Sequence, residues 1–178
     1  MFPANVINIM IAGPSDVSSE VECVKSVIYE WNEINAPFFG LVLRPIHWKT
    51  SSFPSLSYCD AQEAINHQLV ETSDVLICLF GHRLGTQTPR SESGTVEEIK
   101  QHLMSGKEVM VFFKGNIDAN CDLEQFTALR LFQSHLQEKG LLGSYYDIGK
   151  LKDEVSRRLQ LFINNFAACV VWLRKSRV

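Results

Sequence analysis

The sequence predicts an α/β protein with a flavodoxin-like three-layer α/β/α arrangement and a five-stranded, mainly parallel sheet in the order 2-1-3-4-5. Two observations and one rule carry this. Short apolar segments of strand length alternate five times with segments of helical period. The segment Val75-Leu76-Ile77-Cys78-Leu79-Phe80 is apolar at every position, as a parallel strand covered on both faces must be. Right-handed crossovers between successive parallel strands then give the order 2-1-3-4-5 most simply.

Val6 to Ala12 reads as a buried strand that stops at Gly13-Pro14. Ser15 or Asp16 can cap the helix that follows. Val17, Val21, Val24, Ile28, Trp31 and Ile34 then recur every three or four residues as one apolar face. Leu41 to Ile46 is the second strand, ended by Pro45 and a polar stretch from Lys49. A helix over about 61–72 turns Ala61, Ala64, Ile65 and Leu69 inward. After the third strand, 75–80, a loop with Gly, Thr and Pro runs to Gly94. The helix from Thr95 to Ser105 places Val96, Ile99 and Leu103 inward, and Gly106 stops it. Glu108 to Phe113 is the fourth strand. A helix over about 122–138 carries Leu123, Phe126, Leu129, Phe132 and Leu136 inward, and Leu142 to Ile148 is a short edge strand. The last helix, from about 149 to at least 166, buries Leu151, Val155, Leu159, Phe162, Ile163 and Phe166. Val170 and Leu173 continue its spacing, and a strand over Cys169 to Leu173 is the alternative.

The chain of 178 residues carries a formal net charge of −3, with 46% apolar and 21% charged residues. That is globular composition, and the length suits a single domain over 1–178, with a core at about 5–114 and C-terminal helices at about 122–175. The longest apolar run, Ala167 to Leu173, is far short of the ~20 residues of a membrane span. No basic and then apolar opening segment suggests a secretory leader. The acidic balance argues against nucleic acid as a partner. Five cysteines, at 23, 59, 78, 121 and 169, are odd in number and lack CxxC spacing. This argues against a disulfide framework and a zinc site and fits a reducing cytoplasm, with no metal expected. Cys78 reads as core. Cys59 sits in a polar loop, where nothing supports a nucleophile role.

In an open parallel sheet the ligand site lies beyond the carboxyl ends of the strands, at the switch point between the first and third. Three places follow. The loop Gly13-Pro14-Ser15-Asp16 offers close backbone approach and free N–H groups, or simply a turn and a cap. The loop Gly81 to Thr86 offers Arg83, a bidentate phosphate ligand or a solvated arginine. Ser93-Gly94-Thr95 opens the next helix, where Ser93 or Thr95 can cap. With Val96 and Ile99 inward, Glu98 falls on the flank of the buried face. A carboxylate at the edge of a cleft is a candidate nucleophile or charge stabiliser. Glu97 lies about 100° further round and should be solvated. His102, one turn below Glu98, orients it or is a surface residue. His47-Trp48-Lys49 adds an aromatic face at the same rim, where Trp48 stacks on a base or packs under the long loop.

These residues carry a resemblance. Ile11-Ala12-Gly13-Pro14 together with Ser93-Gly94-Thr95-Val96-Glu97-Glu98-Ile99 resembles the nucleoside deoxyribosyltransferase pattern. There a strand ending in Ala-Gly-Pro is paired with Asp-x-Gly-Thr-x-x-Glu, whose Glu is the nucleophile. That Glu corresponds to Glu98, and Glu92 stands in place of the Asp. That family is related in fold to TIR domains, whose catalytic Glu lies on the helix after the third strand. Asn8 to Phe113 is similar to a TIR-like bacterial group through Gly13-Pro14-Ser15-Asp16-Val17, Trp48, Arg83-Leu84-Gly85-Thr86 and Glu92 to Ile99. Its members occur beside or fused to NACHT-type ATPases and other defence modules. The resemblance implies a TIR-like enzyme that cleaves an N-glycosidic bond, with NAD as substrate, no resident cofactor and nicotinamide as product. Its implied setting is anti-phage signalling, with self-association or a partner signalling protein. Glu98 would be catalytic, and Gly13, Pro14, Ser15, Asp16, Trp48, Arg83, Ser93, Gly94 and Thr95 would bind substrate. Two alternatives stand beside it. One is a nucleoside or nucleotide N-glycosidase or deoxyribosyltransferase using the same Glu98. The other is a non-catalytic, self-associating signalling or ligand-sensing module.

Overall fold

The computed structural model describes residues 1–175 other than 57, 59, 117, 119 and 120, with side chains as far as Phe166. Cys59 lies outside the described residues. Five strands, β1 (Asn5–Ala12), β2 (Leu41–Ile46), β3 (Val75–Phe80), β4 (Glu108–Lys114) and β5 (Gly143–Tyr145), form one sheet in the order β2-β1-β3-β4-β5. Every pairing is parallel, with Ile9 opposite Val75 and Cys78 opposite Val111. The expected topology is therefore the observed one. The edge strand is shorter than the sequence predicts.

Alternation along each strand divides the core in two. Ile7, Ile9, Ile11, Val75, Ile77 and Leu79 face α1 (Ser18–Phe39) and α6 (Ile148–Lys175). Met10, Ala12, Leu76, Cys78, Phe80 and Phe113 face α4 (Gly94–Met104) and α5 (Leu123–Gln137). The same face also packs on α3 (Ala61–Ile65) and the single π turn (Asn66–Val70) that continues it. α1 is locked to α6 by the Trp31 indole N–H, which donates to Gln160 Oε1 at 2.8 Å. The N–H of Gly40, at φ 61°, closes the end of α1 on Ala36 O, a left-handed cap that glycine adopts without strain. α6 continues helical through Lys175, which settles the strand alternative at Cys169 to Leu173.

Some residues expected inward point out. Ile34 is 67% exposed, because two successive steps of three turn it about 100° from the face set by Val17 to Ile28. Leu103 in the last turn of α4 and Leu123 at the first position of α5 are exposed because those turns overrun the core. Ala61 and Phe166 are also exposed, at the start of α3 and far along α6. A short helix that the sequence pattern did not suggest, α2 (Trp48–Ser51), follows β2, with the His47 imidazole accepting from the Lys49 N–H at 3.4 Å.

Candidate functional site

All three predicted loops emerge at the carboxyl edge of the sheet. After β1 the chain makes a 3-10 turn, Ser15–Val17, before α1. Neither Ser15 nor Asp16 caps a helix N–H; both are exposed. Asp16 instead accepts the His82 N–H at 2.8 Å and ties the β1 loop to the β3 loop. Gly13 is required by close approach: a side-chain carbon there would sit 2.7 Å from the Leu79 carbonyl oxygen.

At the start of α4, Ser93 is the cap, its Oγ accepting the Val96 N–H at 3.2 Å; Ser93 and Thr95 are both buried. Glu97 is buried rather than solvated. It accepts from Thr88 Oγ1 at 2.6 Å, Arg90 Nε at 2.7 Å and Asn66 Nδ2 at 2.7 Å. Burial pushes its pKa up, but these three donors together hold it below the ordinary value.

Glu98 is 5% exposed and accepts one hydrogen bond among the described residues, from Gln62 Nε2 at 3.3 Å. Burial raises its pKa to about 7, against the pull of the Gln62 bond and with help from the Glu97 charge. Gln62 also donates to Asn66 Oδ1 at 3.1 Å and covers the Cα of Gly94. His102 is fully buried and not a surface residue, and its Nδ1 bonds the backbone oxygen of Glu98 at 2.9 Å, not the carboxylate. Its Nε2 lies 2.7 Å from Ser73 Oγ. Burial lowers its pKa, so the neutral ring donates through Nδ1 and accepts the Ser73 proton. Val70 O, the other acceptor near Ser73, is supplied by Lys107 Nζ at 2.8 Å.

Trp48 is 42% exposed and borders two hollows. One, of about 160 Å³, is lined by Gly13, Pro14, Ser15, His47 and Lys49. The other, of about 530 Å³, is lined by Phe53, Pro54, Leu56, Ala61, Ala64 and Ile65. Neither is lined by Asp16, Arg83, Ser93, Gly94, Thr95 or Glu98. Arg83 is half-buried, and its Nε has no hydrogen-bond partner among the described residues. Glu92 sits at the surface, paired with Lys100 at 2.7 Å. The predicted site is thus divided: Gly13 to Ser15 gather with Trp48, while Glu98 lies behind α3.

The residues that surround the carboxylates do not stand out in the sequence pattern. Arg90 reaches Asp60 through two bonds, at 2.7 and 3.0 Å, as well as Glu97. Asp60 caps α3 by accepting the Glu63 N–H at 2.9 Å. The Asp60-x-x-Glu63 spacing of a capping box was the available signal. Nothing local marked Gln62, Asn66, Thr88 or Arg90.

The geometry defines an α/β domain with a buried acidic pair on the helix after its third strand. Residues 18–160 match the family described as "Domain of unknown function (DUF4062)", and the chain belongs to that family. No curated protein matches the sequence. Among solved structures, a conserved protein from Enterococcus faecalis V583 is 16% identical, with a TM-score of 0.46 over 86% of this chain and 99% of that one. The RPS4 and RRS1 TIR domain heterodimer gives 11% identity and a TM-score of 0.44 over 88% and 96%. Homoserine dehydrogenase from S. aureus gives 18% and 0.40 over 80% of this chain and 33% of that one.

Proposed function

We propose that this domain is a TIR-like enzyme that cleaves the N-glycosidic bond of a nucleotide such as NAD. The observation that carries the reading is Glu98. It is a carboxyl group with a pKa of about 7 and one hydrogen bond, on the helix after β3, at the switch point of the sheet. In this chemistry the bond between the ribose anomeric carbon and the nicotinamide nitrogen breaks. The electron pair leaves with nicotinamide, and the ionised Glu98 stabilises or traps the oxocarbenium ion. Water then adds and gives up its proton. Gly13 to Asp16 and Arg83 are assigned to the phosphates, Trp48 to the base, and Ser93 to Thr95 to substrate binding beside Glu98. On the same reading the domain works as a self-associating unit of a bacterial defence or signalling assembly in the cytoplasm; this part rests on the motif resemblance alone.

The test is nicotinamide release from NAD, read by chromatography for wild type and Glu98→Gln at several protein concentrations. A loss of about a hundredfold or more is expected in the variant, and full activity there overturns the assignment. Base release from nucleosides without nicotinamide release from NAD transfers Glu98 to the nucleoside reaction. A second reading, a non-catalytic self-associating module, is favoured by the cover that Gln62 places over a carboxyl only 5% exposed. It predicts no turnover of any nucleotide and an oligomer that grows with concentration.

A further inference from the structure

α3 is a thin wall. One side of this five-residue helix turns Ala61, Ala64 and Ile65 to the 530 Å³ hollow beside Trp48, and the other places Gln62 on Glu98. None of its five residues is fully buried, and its apolar hold on the core comes through Ile65 at its end. Polar contacts hold its start. The Arg90 guanidinium grips both oxygens of Asp60, the residue that caps α3, while its Nε bonds the buried Glu97. The anchor beyond is firm: Asn66, Leu69 and Val70 of the π turn are buried, and the Glu71 N–H closes that turn on Asn66 O at 3.1 Å. A wide turn of this kind breaks the regular helical ladder.

We propose that Asp60–Ile65 is the movable wall of a single ligand cleft running from Trp48 to Glu98, and that Arg90 is the residue that holds it shut. When the Arg90–Asp60 contact breaks, α3 turns aside about the π turn and withdraws Gln62 from Glu98. The aromatic face and the carboxyl then border one space, with Trp48 placed for a base and Glu98 for its sugar. Arg90 keeps its bond to Glu97 throughout and stays ready to re-close. The functional consequence rests on the reading of Glu98 as catalytic; the movement does not.

The experiment therefore reads the movement without turnover. Glu98 in the intact protein is labelled with a carbodiimide and glycine ethyl ester and quantified by mass spectrometry, beside amide hydrogen exchange over residues 60–65. Arg90→Ala raises both rates by roughly tenfold. Arg90→Lys, which keeps the charge but not the fork, gives a smaller rise. Lys100→Ala, which breaks the surface pair with Glu92, leaves both rates at the wild-type level. Asp60→Asn keeps an oxygen for the Glu63 N–H and leaves the Arg90–Glu97 bond intact, so it decides the matter if Arg90→Ala unfolds. Wild-type rates in Asp60→Asn and in folded Arg90→Ala overturn the wall. Faster labelling with no nicotinamide release from any variant keeps the wall and rejects the chemistry. Release that needs Glu98, with unchanged labelling, does the reverse.

Discussion

The proton on Glu98 couples the site to stability. Its folded pKa of about 7 lies above the ordinary value of 4.5, so between these limits the folded chain binds more protons than the unfolded one. Stability from this group is full below about pH 4.5 and falls as pH rises toward 7, where the buried carboxylate becomes charged. Glu98→Gln removes that loss while still accepting the Gln62 N–H. The variant should therefore be more stable than wild type at about pH 8, by roughly 2–3 kcal/mol, and equal to it near pH 4.5. Urea denaturation at the two pH values checks this. The burial of Glu98 on the flank of its helix was legible, because Val96 and Ile99 fix which side of the helix meets the sheet. Glu97 and His102 were not, because a helical wheel contains only its own helix. Asn66, Thr88 and Arg90 come from other segments to surround Glu97, and Ser73 comes from before β3 to meet His102.

At the scale of the element, strand order and helix positions followed from period and apolarity, while the lengths of the weak elements did not. β5 has three residues, and its place depends on a contact that no local pattern contains. Gly143 lies directly on the Phe112 ring, closer than a side-chain carbon can sit. Gly143→Ala should push β5 away from β4 and lower stability by about 1–3 kcal/mol. The amides of Ser144 and Tyr145 should then exchange faster while those of β3 do not, as hydrogen exchange on the folded variant can show. α3 was expected as part of one helix to about residue 72 and is a short helix with a π turn. The π turn still carries Leu69 inward, as the pattern predicts, and buries Val70 beside it; the change of ladder itself has no local signal.

For the molecule as a whole, two buried histidines add to the response to acid. Burial lowers His47 to about 4, helped by Lys25 and Lys49 and opposed by Glu22, and burial lowers His102 as well. Both folded values lie below the ordinary 6.5, so on acidification the unfolded chain takes up protons first. Their stabilisation is full above about pH 6.5 and is lost as pH falls, for His47 down to about 4, while Glu98 acts in the opposite direction below 7. His47→Gln keeps an acceptor for the Lys49 N–H and should lose roughly 2 kcal/mol less than wild type between about pH 6.5 and 4.5. Denaturant midpoints across that range test it. The all-parallel order has a further consequence, in the time needed to build the protein. β1 is an interior strand, and both its neighbours are made after it; Val75 follows Ile9 by 66 residues. At ribosomal speeds of roughly 5–20 residues per second, Ile9 and Ile11 wait several seconds for β3. Until then the most apolar segment of the nascent chain has no partner on that side, and it is in this interval that a chaperone or a neighbouring nascent chain competes for it.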